Sequence, residues 1–150
     1  PNVVVADWEP SYFDAHIIVS VGKSIPAQCT AAGKAILAGM EGEERENALD
    51  ELSFRYYTEN TITDRKELEE ELKTARERGY AISKEEYNRD IVVLASPIFD
   101  MRNRAIASCA ITALKSRVTV ESILESFGKM TLVAARNISK QMGASRDKIW

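Results

Sequence analysis

The spacing of apolar positions changes several times along the chain, and each change marks a different kind of element. Val3 to Trp8 and Ala15 to Val21 are β-rich stretches, separated by Glu9-Pro10-Ser11-Tyr12-Phe13-Asp14, a turn-rich break of the kind that closes a hairpin. The second stretch ends at Gly22-Lys23-Ser24. After Pro26 the character becomes small and helical: Thr30-Ala31-Ala32-Gly33-Lys34-Ala35-Ile36-Leu37-Ala38 predicts a helix that Gly39 ends. Glu43 to Leu52 predicts a second, shorter one. Leu68, Leu72 and Ala75 then recur at helical spacing behind Asp64-Arg65-Lys66-Glu67, a capping-box-like start with Thr63 or Asp64 as the cap. Gly79 stops this amphipathic helix.

Beyond Gly79 the spacing returns to that of strands. Tyr80 to Ser83 and Ile91 to Phe99 read as two, joined around Lys84-Glu85-Glu86-Tyr87-Asn88. Arg104 to Leu114 reads as a third, paired to the second across Asp100-Met101-Arg102-Asn103, where Asn103 suits a position of positive φ. Pro97 inside the central strand implies a bulge or an edge position. Val120, Ile123, Leu124, Phe127, Met130, Leu132, Val133, Ala134 and Ile138 trace a broad apolar face on a long terminal helix ending near Gly143. The order of elements predicts an α+β domain, a mostly antiparallel sheet flanked by helices with a long C-terminal helix.

Composition narrows the function classes. A chain of 150 residues, 45% of them hydrophobic, suffices for one domain with a real core. The net charge of -3, without a basic stripe, argues against DNA binding by this segment itself. Its longest apolar run, Ile91 to Ala95, is far short of a membrane span, and no signal segment opens the chain. Cys29 and Cys109 lie among small or apolar residues, which suits a reducing cytoplasm better than a disulfide framework. The opening Pro1-Asn2-Val3-Val4 enters a strand pattern without a start methionine, as a segment of a longer protein does.

Few residues suggest catalysis. Cys29 precedes a helix start, a place that lowers a thiol pKa, but the lone His16 has no paired base in view, so a small buried hydrophobe is the simpler reading. His16 also lacks metal-ligand spacing to either cysteine. Glu85 and Glu86 are adjacent and cannot share one face of a strand as an acid/base pair. A solvated turn, with one of them pairing Lys34 or Arg89, accounts for them. The charges from Glu67 to Arg78 read as the wet side of a helix, with pairs such as Glu69 to Lys73. The Ala31-Ala32-Gly33 run allows either close helix packing or close approach of an anion to the backbone.

Taken together, Gly22-Lys23-Ser24-Ile25-Pro26 leading into Ala27-Gln28-Cys29-Thr30-Ala31-Ala32-Gly33-Lys34-Ala35-Ile36-Leu37-Ala38 resembles the signature of the IclR family of bacterial transcription regulators. Thr61-Ile62-Thr63-Asp64, Arg78-Gly79-Tyr80-Ala81, Glu85-Glu86-Tyr87, Leu94-Ala95-Ser96-Pro97-Ile98-Phe99-Asp100 and the terminal Ala134-Ala135-Arg136-Asn137-Ile138-Ser139 agree in order and spacing. The resemblance implies a GAF-like effector-binding domain over residues 1–150, trimmed at its N-terminus by a helix and a strand. A DNA-binding winged helix-turn-helix would lie upstream, absent here. It further implies a repressor or activator that forms homodimers or homotetramers, is not an enzyme and needs no cofactor. The chain departs from the family pattern where Asp90 and Asn103 stand at positions usually held by glycine.

Carried over residue by residue, the family's ligand positions fall on Ala31, Ala32, Ser83, Ile91, Val93, Ala110 and Thr112, with Ile17 on the opposite wall. Thr112 and Ser83 offer hydroxyl donors, whereas Val93 and Ala110 make the pocket less polar than in related sensors. The implied effector is a small carboxylate, keto acid or aromatic acid. Two other readings stay open: a cysteine-based reductase on the same scaffold using Cys29 and Cys109, and an oligomerisation module that takes no ligand.

Overall fold

The structure, a computed structural model, describes residues 1–10, 17, 19–118 and 121–145, without the side chains of residues 122 and 123. Along these the elements are β1 (Asn2–Val4), β2 (Ser24–Pro26), α1 (Ala31–Gly39), α2 (Gly42–Asp50), α3 (Arg65–Arg78), β3 (Ala81–Lys84), β4 (Ile91–Phe99), β5 (Ala105–Leu114) and α4 (Glu121–Gln141). A short turn of tighter helix, Lys115–Arg117, follows β5. β3, β4 and β5 form an antiparallel sheet in that order, and β1 and β2 form a separate antiparallel pair. The α+β class, the mostly antiparallel pairing and the long last helix are those that the apolar pattern predicts.

α3 shows how closely local sequence dictates an element. Asp64 caps it by accepting from the Glu67 N–H at 3.0 Å. Gly79 ends it at φ 87°, with its N–H on the Ala75 carbonyl at 3.0 Å. Leu68, Leu72 and Ala75 form the buried stripe. Glu69 pairs back to Arg65 at 2.8 Å rather than forward to Lys73. Asp90, just before β4, and Asn103, in the turn before β5, take φ 62° and 58°, a left-handed backbone that Asp and Asn adopt more readily than most other side chains.

The sheet divides two hydrophobic layers. Ala31, Ala35 and Leu37 of α1, the α3 stripe, and Ala81 and Ala95 of the sheet make one. Tyr80, Val92, Leu94, Val118 and Leu124 make the other, under α4. α4 sits down partly through hydroxyls: Ser96 Oγ lies 3.0 Å from Thr131 Oγ1 and 3.0 Å from the Gly79 carbonyl, while Phe99 N–H donates to Ser139 Oγ at 2.9 Å. Contact is close enough that a Cβ on Gly128 would meet the Tyr80 ring at 2.3 Å.

Two expectations need correction at the N-terminus. β1 stops at Val4, although Val5 still bonds Lys23, and its partner is Ser24–Pro26 rather than the stretch from Ala15 to Val21. Of that stretch, Ile17, Val19 and Ser20 are irregular, Val21 lies in a turn, and Ala15, His16 and Ile18 lie outside the described residues, as do Val120 and the side chain of Ile123. β-propensity alone could not choose the partner, because pairing is decided by cross-strand contacts that a short apolar run does not encode. Pro97 fits its expectation: β3 pairs only as far as Ala95, so Pro97 sits on the local edge of β4, and the register shifts just beyond it at Ile98/Phe99.

Candidate functional site

The first turn of α1 is built to leave backbone donors open. Thr30 caps the helix, its hydroxyl oxygen accepting from Gly33 N–H at 3.2 Å while its proton goes to the Pro26 carbonyl at 3.0 Å. Lys34 N–H bonds the Thr30 carbonyl at 2.9 Å. Ala31 and Ala32 N–H then have no acceptor among the described residues. A Cβ on Gly33 would lie 2.3 Å from the Ala27 carbonyl oxygen, so only glycine lets the turn fold this tightly against the strand before it.

Beneath that turn runs one face of the sheet. Ser83 pairs with Val93 and Val93 with Thr112, giving a cross-strand row, and the neighbouring row is Ala81, Ala95 and Ala110. Because side chains alternate, Ser83, Ile91, Val93, Ala110 and Thr112 share the face toward α1. Val93 and Ala32 pack at the rim of the same hydrophobic layer. The expected site residues of α1 and the sheet thus come together. Ala110 is exposed and Ile91 and Thr112 half-buried, so this face is open beside α1. Of the opposite wall, only Ile17, half-buried, belongs to the described residues.

One of the expected donors is engaged. Ser83 is buried and its hydroxyl donates to the Cys29 carbonyl at 3.1 Å, locking β3 to the α1 start, so its single proton is not free for a ligand. The Thr112 hydroxyl makes no hydrogen bond among the described residues.

The same end of α1 holds a buried ion pair. Lys34 Nζ is 2.6 Å from Glu86 Oε1 and 3.8 Å from Glu71, which Arg78 holds at 2.7 Å. One member of the Glu85-Glu86 pair does meet Lys34, as the sequence suggested, but Glu86 is buried and not part of a solvated turn. Burial pushes its carboxyl above the usual glutamate range against the pull of Lys34. Glu85 turns outward to Lys115, and Arg89 pairs with Glu59. Thr58 and Thr61 hold the loop in place by donating to the carbonyls of Glu85 at 2.6 Å and Glu86 at 2.7 Å. Among the described residues, Glu86 Oε2 and Gln28 Nε2 are buried with no hydrogen-bond partner. Sequence reading missed Gln28, Thr58 and Thr61, since nothing local distinguishes a buried Gln or Thr from an exposed one.

The thiols do not form a reactive pair. Cys29 is fully buried, and burial, with Glu86 adding to it, pushes its thiol up to about 12. Cys109 pairs with Ser96, whose hydroxyl reaches α4, so it sits on the opposite face of the sheet from Cys29. Among the described residues no three His, Cys, Asp or Glu side chains are grouped to hold a metal ion, and His16 lies outside them. A sheet face beside a helix start, with two backbone donors that have no acceptor among the described residues, suits the binding of a small molecule.

A family model described as "Bacterial transcriptional regulator IclR C-terminal" matches residues 2–140. The chain is 32% identical over 126 residues to the transcriptional repressor IclR of Escherichia coli, covering 84% of this chain and 46% of that protein. It is 32% identical over 133 residues to the regulator KdgR of Dickeya chrysanthemi, covering 89% and 43%. The crystal structure of Thermotoga maritima IclR superposes with a TM-score of 0.85 at 29% identity, over 91% of this chain and 55% of that one. The chain belongs to the IclR family of bacterial transcriptional regulators and is its C-terminal effector-binding domain, in a family that is not enzymatic. It spans about half the length of these relatives.

Proposed function

We propose that the α1 face of the sheet binds a small organic acid and that occupancy controls DNA binding by a helix-turn-helix domain upstream. What supports this reading is that the Ala31 and Ala32 N–H groups have no acceptor, and the Thr112 hydroxyl no hydrogen bond, among the described residues. Two N–H groups at a helix start and one hydroxyl suit a carboxylate or the carboxylate end of a keto acid. Val93, Ala110, Ile91 and Ile17 would then surround the body of the ligand, which favours an apolar or aromatic acid over a polyhydroxylated one. Ser83 contributes by positioning β3, not by donating to the ligand.

The domain acts in the cytoplasm, where operator DNA is, and no helix among the described residues is long and apolar enough to cross a membrane. It works as a homodimer or homotetramer. Effector binding must differ in affinity between two arrangements of the whole regulator, commonly by about 1–3 kcal/mol.

A thermal-shift panel of small carboxylates, keto acids and aromatic acids tests the assignment. A ligand at about 100 times its dissociation constant adds roughly 2.7 kcal/mol of stability. The shift is expected to shrink in Thr112→Val and to vanish in Ala110→Phe, which fills the open face. A panel without a hit, or shifts untouched by both substitutions, would overturn the assignment.

A further inference from the structure

Three elements meet around one buried ammonium. Lys34 leaves α1 one turn past Ala31, and its Nζ lies 2.6 Å from Glu86 Oε1 and 3.8 Å from Glu71 Oε1 of α3. Arg78 holds Glu71 at 2.7 Å. Two cations and two carboxylates thus cancel, and a proton on either carboxylate leaves one positive charge in excess. Glu86 is the one placed to take it. Glu71 is partly exposed with a guanidinium beside it, whereas Glu86 is 6% exposed and its Oε2 is buried with no hydrogen-bond partner among the described residues. A buried, unpartnered carboxylate oxygen favours the protonated acid, because its charge has neither water nor a donor to meet it.

Position matters as much as charge. Glu86 belongs to the loop after β3, and Ser83 of β3 donates to the Cys29 carbonyl, so loop and strand are both fastened to the residues that open α1. The Cys29 thiol registers the proximity: after burial itself, the Glu86 carboxylate does most to raise it, ahead of the opposing pull of Lys34. Just before the helix start, therefore, the carboxylate outweighs the ammonium. An anion seated on the Ala31 and Ala32 N–H groups meets the same two charges. Ionised Glu86 repels it, and protonated Glu86 leaves Lys34 free to attract it.

We propose that binding of a carboxylate effector at the α1 start is linked to a proton on Glu86, the anion binding more tightly to the protonated form, so that the domain responds to acidity and effector together. The inference rests on the effector site proposed above and gives Glu86 a part in it without contact with the ligand. Linkage is reciprocal: the bound anion strengthens the hold of Glu86 on its proton by the same factor. The charged and titratable groups that face Glu86 among the described residues are Lys34 of α1, Glu71 of α3 and the Cys29 thiol. Glu85 turns outward to Lys115 and Arg89 to Glu59, and the loop opposite offers the Thr58 and Thr61 hydroxyls to the Glu86 carbonyl.

Carbon-13 NMR of the 150-residue chain, titrated over pH with and without an excess of benzoate and, separately, of pyruvate, reads both halves. The Ala31 and Ala32 amide shifts report whether a probe is seated, and the Glu86 carboxyl carbon reports the proton. The Glu86 midpoint is expected to rise by about half to one pH unit when a probe binds, the equivalent of an affinity roughly three- to tenfold greater for the protonated form. Probe affinity should fall by that factor as pH rises through Glu86. The dependence should vanish in Glu86→Gln and persist in Glu85→Gln and in His16→Asn, which removes the lone histidine. A seated probe with an unmoved Glu86 midpoint overturns the linkage and leaves the site standing. Amides that neither probe disturbs overturn the site reading and the linkage with it. A dependence that survives Glu86→Gln but not His16→Asn assigns the proton to His16 and overturns the proposal equally. The midpoints in the parent chain decide the question even where Glu86→Gln fails to fold.

Discussion

Lys34 and Glu86 are both buried, and each is tolerable there only because the other is present. Removing one strands a charge in a hydrophobic layer. Lys34→Met or Glu86→Leu alone should lower unfolding free energy by about 3–5 kcal/mol, whereas the double substitution should recover most of it, as urea denaturation can measure. The pair also leaves a pH signature. Burial raises the Glu86 carboxyl, so the folded chain holds that proton more tightly than the unfolded one. Its contribution to stability is fully present below the ordinary glutamate range and is lost as pH rises through the raised value. Glu59, Glu85, Asp100 and Glu125 are shifted the other way by their partners, and their contributions are lost only on acidification. A decline in melting temperature as pH rises above the ordinary glutamate range, absent in Glu86→Gln, is therefore the expected profile. No such decline in the parent chain would remove Glu86 as its source.

At the scale of elements, what the sequence made legible was whatever is decided within a few residues. α3 could be read from its cap, its stripe and its stop, and the turn at Asn103 from one residue that accepts a left-handed backbone. β4 could be read from its Ile91-Val92-Val93-Leu94 run, and β5 as the partner that follows it across that turn. The partner of β1 was not legible, since three short residues pair wherever the rest of the chain brings an edge. Nor was the burial of Glu86, which depends on Thr58 and Thr61 reaching across from another loop. Of the candidate site, the helix start and the sheet face were placed through family resemblance, while the engagement of Ser83 by Cys29 appeared only in three dimensions. Gly128 gives a test of packing at this scale. Its Cβ position overlaps the Tyr80 ring, so Gly128→Ala should cost about 1–3 kcal/mol despite improving helix propensity. Combining it with Tyr80→Leu should recover part of that loss; equal melting temperatures for Gly128→Ala and the parent chain would show that α4 shifts freely.

For the molecule as a whole, the sheet keeps two hydrophobic layers out of contact: Leu72 belongs to the one under α1 and α3, Leu124 to the one under α4. Effects of substitutions in separate layers should then add. Leu72→Val and Leu124→Val combined should equal the sum of the single losses to within about 0.5 kcal/mol, measured by denaturant titration, and a larger discrepancy would mean that the sheet transmits strain. Such independence has a consequence over evolutionary time. On the proposed function, a lineage of these domains can alter residues around Val93, Ala110 and Thr112, and with them the proposed effector site, without compensating changes under α4. Drift in the α4 layer can likewise proceed while the response stays the same, so one scaffold diversifies along two separate lines of descent.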